Sequence, residues 1–225
     1  MKIKICGMRN SENIQEVIKL SPDYLGFIFY DKSKRHVIDF PELKIPKSIK
    51  KVGVVVNESI ETILKYIQNY ELDAIQLHGN ETPEFCEKLK EIVTSSAVEK
   101  SHQDKILRQA QYDKKLEIIK AFSVDEHFDF EKAKAYEPFC ELFIFDTKGK
   151  GYGGTGLKYD WNLLKKYKRE TPFLLSGGIG PNDGTSIKEF NHRLCIGVDL
   201  NSGFEDAPGL KNKEKLQSFL NELKN

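Results

Sequence analysis

Eight short apolar runs, each followed by an amphipathic or polar stretch, constrain this chain more than any other feature. They are IKIC (3–6), YLGFIF (24–29), KVGVVV (51–56), AIQLH (74–78), LEIIKAF (116–122), LFIFDT (142–147), FLLSGG (173–178) and LCIGVDL (194–200). They are near-continuous in apolar character and do not alternate with polar residues. Strands covered on both faces have this composition, as in all-parallel sheets. The stretches between them carry helix signals. Ser11 is placed to cap SENIQEVIKL, whose Ile14, Val17 and Ile18 share one face, and Asn57 is placed to cap NESIETILKYI. ETPEFCEKLKEIV, DEHFDFEKAKAY, YDWNLLKKYKR, PNDGTSIKEF and KNKEKLQSFLNEL follow the same habit, whereas PELKIPKSI is short, proline-broken and the poorest helix of the series. Eight strands alternating with helices predict an α/β fold, a single (β/α)8 TIM barrel over residues 1–225. The competing open doubly wound sheet lacks its GxGxxG after the first strand. Residues 94–115 form a polar insertion between the fourth and fifth strands, read as a solvated surface excursion.

Composition removes several classes of function. Lys plus Arg number 35 against 34 Asp plus Glu, a formal net charge of +1, so neither a nucleic-acid groove nor a membrane surface is indicated. Cys6, Cys86, Cys140 and Cys195 are too far apart for metal-ligand spacing or a disulfide framework, so no metal is expected and the thiols read as reduced. The N-terminal apolar run is too short for a signal peptide and no stretch spans a bilayer, so a cytoplasmic location is expected.

In a parallel barrel the chemistry gathers where the strands end. Cys6 lies at the first strand's tip, Arg35 just beyond the second, and Gln76 and His78 at the fourth. Asp146 ends the sixth and Asp199 the eighth. Lys120, at the end of the fifth, is either a rim charge or a source of positive field near Cys6. His78 either holds its own loop or touches a ligand. Glycines cluster after the last three strands, in GKGYGGTG, SGGIG and NSGFE. Glycine lets backbone N–H groups turn toward a ligand, and three such loops on neighbouring strands make a phosphate cradle. Its candidate members are Gly154, Gly156, Gly177, Gly178, Ser202 and Gly203.

Together, KICGMR, GFIF…SKRH, VGVVVN, IQLHGNE, IKAF, FDTKGKGYGGTGLKYDW, LSGGI and GVDLNSGFEDAPGLK resemble phosphoribosylanthranilate isomerase of tryptophan biosynthesis. The resemblance runs from the first strand to the last helix, with 94–115 outside it. Ser176 stands where the family usually has alanine, and Tyr159 where it has phenylalanine. The resemblance implies a barrel of ribulose-phosphate-binding type and an Amadori rearrangement of an aminoaldose to an aminoketose. It requires no cofactor and a phosphorylated small molecule as substrate, and is compatible with a monomer or homodimer. It assigns the general base to Cys6, the general acid to Asp146, a contact with the anthranilate carboxylate to Arg35 and one with a ribose hydroxyl to Asp199. Two alternatives stay open at the sequence level. Another phosphate-sugar barrel enzyme would want a lysine–glutamate pair, or paired aspartates with metal-binding histidines, and neither set is seen. A barrel that only binds a phosphorylated ligand would not need Cys6 and Asp146.

Overall fold

A computed structural model describes residues 1–41, 43–94, 116–147 and 159–224. Gly154, Gly156 and nearly all of the 94–115 insertion lie outside these residues.

The eight strands are β1 (Lys2–Ile5), β2 (Tyr24–Ile28), β3 (Lys50–Val55), β4 (Ala74–Leu77), β5 (Glu117–Val124), β6 (Leu142–Thr147), β7 (Phe173–Leu175) and β8 (Cys195–Leu200). They are parallel, pair in sequence order and close β8 onto β1. On the outside lie α1 (Ser11–Ile18), α2 (Ile60–Tyr70), α3 (Pro83–Thr94), α4 (Gly184–Glu189) and α5 (Lys213–Lys224). Between β5 and β6, and between β6 and β7, the chain makes 3₁₀ segments, Phe130–Tyr136 and Trp161–Lys166, where full α-helices were expected. Both are capped by an aspartate, Asp129 and Asp160, whose side chain accepts from the N–H two residues on. That local bond favours a tight first turn. The proline-broken stretch after β2 forms no helix among its described residues. After β8 a 3₁₀ turn, Ser202–Phe204, leads into an antiparallel hairpin of β9 (Glu205–Ala207) and β10 (Leu210–Lys211).

Register divides the barrel into two cores. Successive side chains of a strand point to opposite faces. The pairings Lys4↔Tyr24, Gly26↔Val52, Val54↔Gln76, Gln76↔Ile119, Ala121↔Ile144, Ile144↔Leu174 and Lys4↔Asp199 set one parity around the ring. The apolar residues of that parity pack together as the barrel interior: Tyr24, Val52, Val54, Ala74, Ile119, Ala121, Leu142, Ile144 and Leu174, with Cys6 among them. The opposite parity, including Ile5, Phe27, Leu77, Phe143, Phe145 and Leu200, packs outward against the helices in a larger core. Aromatic rings dominate that layer near β6, where Phe145 meets Phe122, Phe130, Tyr167 and Phe173 at centroid distances of 5.1–5.7 Å.

Candidate active site

The interior parity delivers Cys6, Gln76, His78, Asp146, Ser176 and Asp199 toward the mouth where the strands end. Each follows from the registers above by counting in twos. Cys6 comes directly after β1, its N–H donating to the carbonyl of Leu200 at 2.9 Å. Its thiol packs against Gly26 of β2, where an added Cβ would lie 2.8 Å from the Sγ. Cys6 is 4% exposed. Burial pushes its pKa up and Asp199 adds to this, while Lys4 and Lys211 pull the other way.

A line of polar contacts crosses this mouth from strand to strand. Lys4 Nζ, fully buried, lies 2.8 Å from Asp199 Oδ1. Burial opposes the Lys4 charge, yet Asp199 and Cys6 together hold its pKa above the ordinary lysine value. The Ser176 hydroxyl sits 3.5 Å from Asp199 Oδ2 and 3.4 Å from Asp146 Oδ1. Asp146 Oδ1 also accepts the Thr147 N–H at 2.9 Å, which fixes that end of the carboxylate. Its Oδ2 is 3.4 Å from His78 Nε2, and His78 Nδ1 is 3.1 Å from Gln76 Nε2. With the amide donating to Nδ1, the neutral imidazole carries its proton on Nε2, facing Asp146. One edge of the mouth thus holds a thiol beside an ammonium. Another holds a carboxylate beside an imidazole.

Arg35 arrives from the β2 loop and is gripped by Glu205. Its Nε donates to both carboxylate oxygens at 2.9 and 3.0 Å, and Nη2 donates to Oε2 at 2.6 Å. Lys211 Nζ donates to Glu205 Oε1 at 2.5 Å and to Asn201 Oδ1 at 2.9 Å. Burial opposes the charge on Glu205, but Arg35 and Lys211 outweigh it and hold the carboxyl below its ordinary value. A guanidinium has two bidentate edges. Glu205 takes the Nε–Nη2 edge, and Nη1 has no partner among the described residues. That leaves the second edge for another carboxylate. Gly7 is essential to this approach, since a Cβ there would lie 2.7 Å from Arg35 Cδ and 2.9 Å from Asn201 Oδ1.

The loops after β7 and β8 close on one another. Gly177 and Gly178 both have positive φ, 90° and 66°. A side chain at Gly177 would meet the Thr147 backbone nitrogen at 2.7 Å, and one at Gly203 would collide with the Ile179 carbonyl and lie 3.0 Å from Gly180 Cα. Neither Gly177 nor Gly178 donates its N–H to a group among the described residues. Ser202 and Gly203 open a helical turn, so their N–H groups begin it without an intrahelical acceptor. Four backbone donors are therefore available at this corner.

Lys120 corrects the sequence expectation. It lies inside β5, not at its end, and pairs with Leu77 in the outward parity. Its Nζ binds Glu81 Oε2 at 3.0 Å and the carbonyls of Leu77, Gly79 and Ala121. It fastens the β4 loop and faces away from Cys6. Three site residues that sequence reading passed over are Lys4, Ser176 and Glu205. Lys4 was legible in principle, because it stands two residues before Cys6 on the same face. Ser176 was noticed only as a departure from alanine. Glu205 needs the hairpin after β8, which no local pattern announced.

Acid–base side chains carried to the mouth of a closed parallel barrel mark the class of (β/α)8-barrel enzymes. The family model described as N-(5'phosphoribosyl)anthranilate (PRA) isomerase matches residues 3–116 and 98–222. N-(5'-phosphoribosyl)anthranilate isomerases of Parabacteroides distasonis and Phocaeicola vulgatus are 43% and 42% identical to the chain. The matches cover 99% and 100% of it, and 93% and 98% of those proteins. The crystal structure of phosphoribosyl anthranilate isomerase from Thermotoga maritima superposes with a TM-score of 0.77 at 32% identity, covering 100% of this chain and 98% of that one. Another, solved in complex with reduced 1-(o-carboxyphenylamino)-1-deoxyribulose 5-phosphate, gives 0.76 at 30% identity with the same coverage. This chain belongs to the N-(5'-phosphoribosyl)anthranilate isomerase family.

Proposed function

We propose that the chain catalyses the reaction for which its relatives are named, a step of tryptophan biosynthesis. N-(5-phosphoribosyl)anthranilate is isomerised to 1-(2-carboxyphenylamino)-1-deoxyribulose 5-phosphate. The observation that carries this reading is the polar line running Lys4–Asp199–Ser176–Asp146–His78, with Cys6 beside its first member. It supports an acid at one side of a bound sugar and a base at the other.

Asp146, protonated, gives its proton to the furanose ring oxygen. The C1–O bond breaks with its electron pair going to that oxygen, while the anthranilate nitrogen lone pair forms the C1=N⁺ iminium. Cys6 as thiolate then takes the C2 proton, the C–H pair forms C1=C2, and nitrogen recovers its lone pair. The resulting enolamine loses its C2 hydroxyl proton and gains one at C1, giving the aminoketose. The net change is isomerisation, with no cofactor needed. Arg35 receives the anthranilate carboxylate on its Nη1–Nη2 edge. Gly177, Gly178, Ser202 and Gly203, with Gly154 and Gly156 of the β6 loop, give the phosphate their N–H groups. Asp199 contacts a ribose hydroxyl, and His78 orients Asp146 or reaches the substrate directly. The same reading takes the chain as one barrel domain, a monomer or homodimer working in the cytoplasm. A solved structure from Thermotoga maritima is of monomers generated from a dimeric phosphoribosylanthranilate isomerase, and no described helix is long and apolar enough to cross a membrane.

Disappearance of the fluorescence of N-(5-phosphoribosyl)anthranilate on adding the protein tests the reaction. Cys6→Ser and Asp146→Asn are each expected to lower kcat at least about a hundredfold, the range of general acid–base catalysis. Binding of a reduced product analogue should survive both. Near-normal kcat in Asp146→Asn would move the ring-opening proton to another donor, His78 first.

A further inference from the structure

Cys6 presents a physical difficulty. A base must lose its proton, yet this thiol is buried, and burial favours the neutral form. The groups that face it are few. Lys4, in β1, stands two residues before it on the same face. Asp199 comes from β8 and Lys211 from β10, and β2 offers only the backbone of Gly26. Arg35 and Glu205 stand behind Lys211, paired with each other. Lys211 already donates to Glu205 and Asn201, and its pKa is lowered chiefly by burial.

Lys4 differs in its hydrogen-bond inventory. An ammonium carries three N–H donors. Asp199 Oδ1 accepts one, at 2.8 Å, and no other oxygen among the described residues accepts from this fully buried Nζ. A buried ammonium with donors to spare is costly unless an acceptor fills them. Two positions along a strand place the next side chain of that face roughly 7 Å further on at the Cα, within reach of a lysine. The side chain at that position is the Cys6 thiol, and its deprotonated sulfur is the acceptor the ammonium lacks.

We infer that Lys4 is a positioning residue that sets the ionisation of Cys6, with Asp199 as its counterweight. In its catalytic consequence this rests on the reading of Cys6 as base. In its physical content it does not, because thiolate formation can be measured in the free protein. The two partners act with opposite sign. Lys4 stabilises the thiolate, whereas Asp199 both anchors Lys4 and repels the thiolate through its own charge.

The experiment is the pH dependence of Cys6 alkylation by iodoacetamide in the ligand-free full chain. The Cys6 peptide is quantified by mass spectrometry, so that Cys86, Cys140 and Cys195 do not contribute. Lys4→Met is expected to move the Cys6 titration to higher pH by about one unit or more, about tenfold less thiolate at any pH below both values. Asp199→Asn is expected to move it to lower pH. Lys211→Met is the comparison and should move it less than Lys4→Met. In turnover, the limb of kcat/KM that rises with pH should shift upward in Lys4→Met by the same amount. A folded Lys4→Met protein with an unaltered titration overturns the inference. So does a larger rise in Lys211→Met. If Lys4→Met does not fold, an unchanged or raised titration in Asp199→Asn overturns it as well. A shifted titration beside a fully active Cys6→Ser protein upholds the role of Lys4 and overturns only the base assignment.

Discussion

Gly26 decides where the thiol of Cys6 can sit. It stands in the interior parity of β2, and a methyl group there would approach Cys6 Sγ at 2.8 Å and Cys6 Cα at 3.1 Å. Real Cβ contacts are longer, so Gly26→Ala must tilt the thiol or spread β1 from β2. Overpacking of this kind costs about 1–3 kcal/mol, and a base moved by about an ångström loses roughly a hundredfold in rate. The expected result is a modest fall in Tm with a large fall in kcat and little change in KM. A kcat within about twofold of wild type would mean that the sulfur has room to spare. The same residue-scale counting explains what was legible in the sequence. The position of Cys6, His78, Asp146 and Asp199 at the mouth could be read because each stands at or just beyond the end of an apolar run. The role of Lys120 stayed open in the sequence because strand limits alone do not give parity. Once Leu77↔Lys120 is known, its side chain can only face the helices. Ser176, between two carboxylates, could be valued only when both neighbours were in place.

At the scale of elements, strands were easier to read than helix ends. The eight apolar runs differ from the observed strands by no more than a few residues at either end, because a buried parallel strand must be apolar on both faces. Helix starts slipped where two capping residues compete. Asn10, not Ser11, caps α1 by accepting the Asn13 N–H. Ser59, not Asn57, caps α2, while Asn57 takes a φ of 52° and accepts the Asn80 N–H at 2.6 Å. The β9–β10 hairpin was missed because its strands have three and two residues. It is held by charge: Glu205 binds Arg35 from the loop after β2 and Lys211 from its own far strand. The pH dependence follows from the sign of the shift. The Glu205 carboxyl is held below its ordinary value of 4.5, so the stability it contributes is present above that value and lost as pH falls through the lower folded one. Lys211 argues the other way, since its burial outweighs Glu205 and lowers its pKa. At acid pH Lys211 is charged all the same, so the acid-sensitive share belongs to the Arg35 fork and the Lys211 pair together. Glu205→Gln should be less stable than wild type in urea at pH 7, by about 3 kcal/mol, as for a broken buried pair. The two midpoints should draw together as the pH is taken below 4.5, the carboxylate's ordinary value. Parallel midpoints across that range would show that the fork does not couple to folding.

For the whole molecule, closure of the barrel separates a chemical end from a structural end. All eight strands run the same way, so every strand-to-helix loop lies at the mouth and every helix-to-strand link at the opposite end. The segment 95–115 belongs to a link of the second kind. It joins Thr94, the last residue of α3, to β5, whose first residue Glu117 pairs with Ala74 at the start of β4. Both anchors are therefore remote from Cys6, just past the far end of β1, and from Asp146, near the far end of β6. Removing residues 96–113 leaves a connection of about four residues, within the usual range for such links. Shortening it from about twenty residues lowers the closure cost by roughly 1.5 kcal/mol if the chain there is free. The shortened protein is expected to keep kcat/KM within about threefold and to unfold at the same temperature or slightly higher. Steady-state kinetics and a thermal melt on the purified variant check both statements. A folded variant that loses more than about tenfold in kcat/KM, roughly 1.4 kcal/mol of barrier, would mean that this segment acts at the mouth despite where its anchors lie. The separation of the two ends would then fail for this chain.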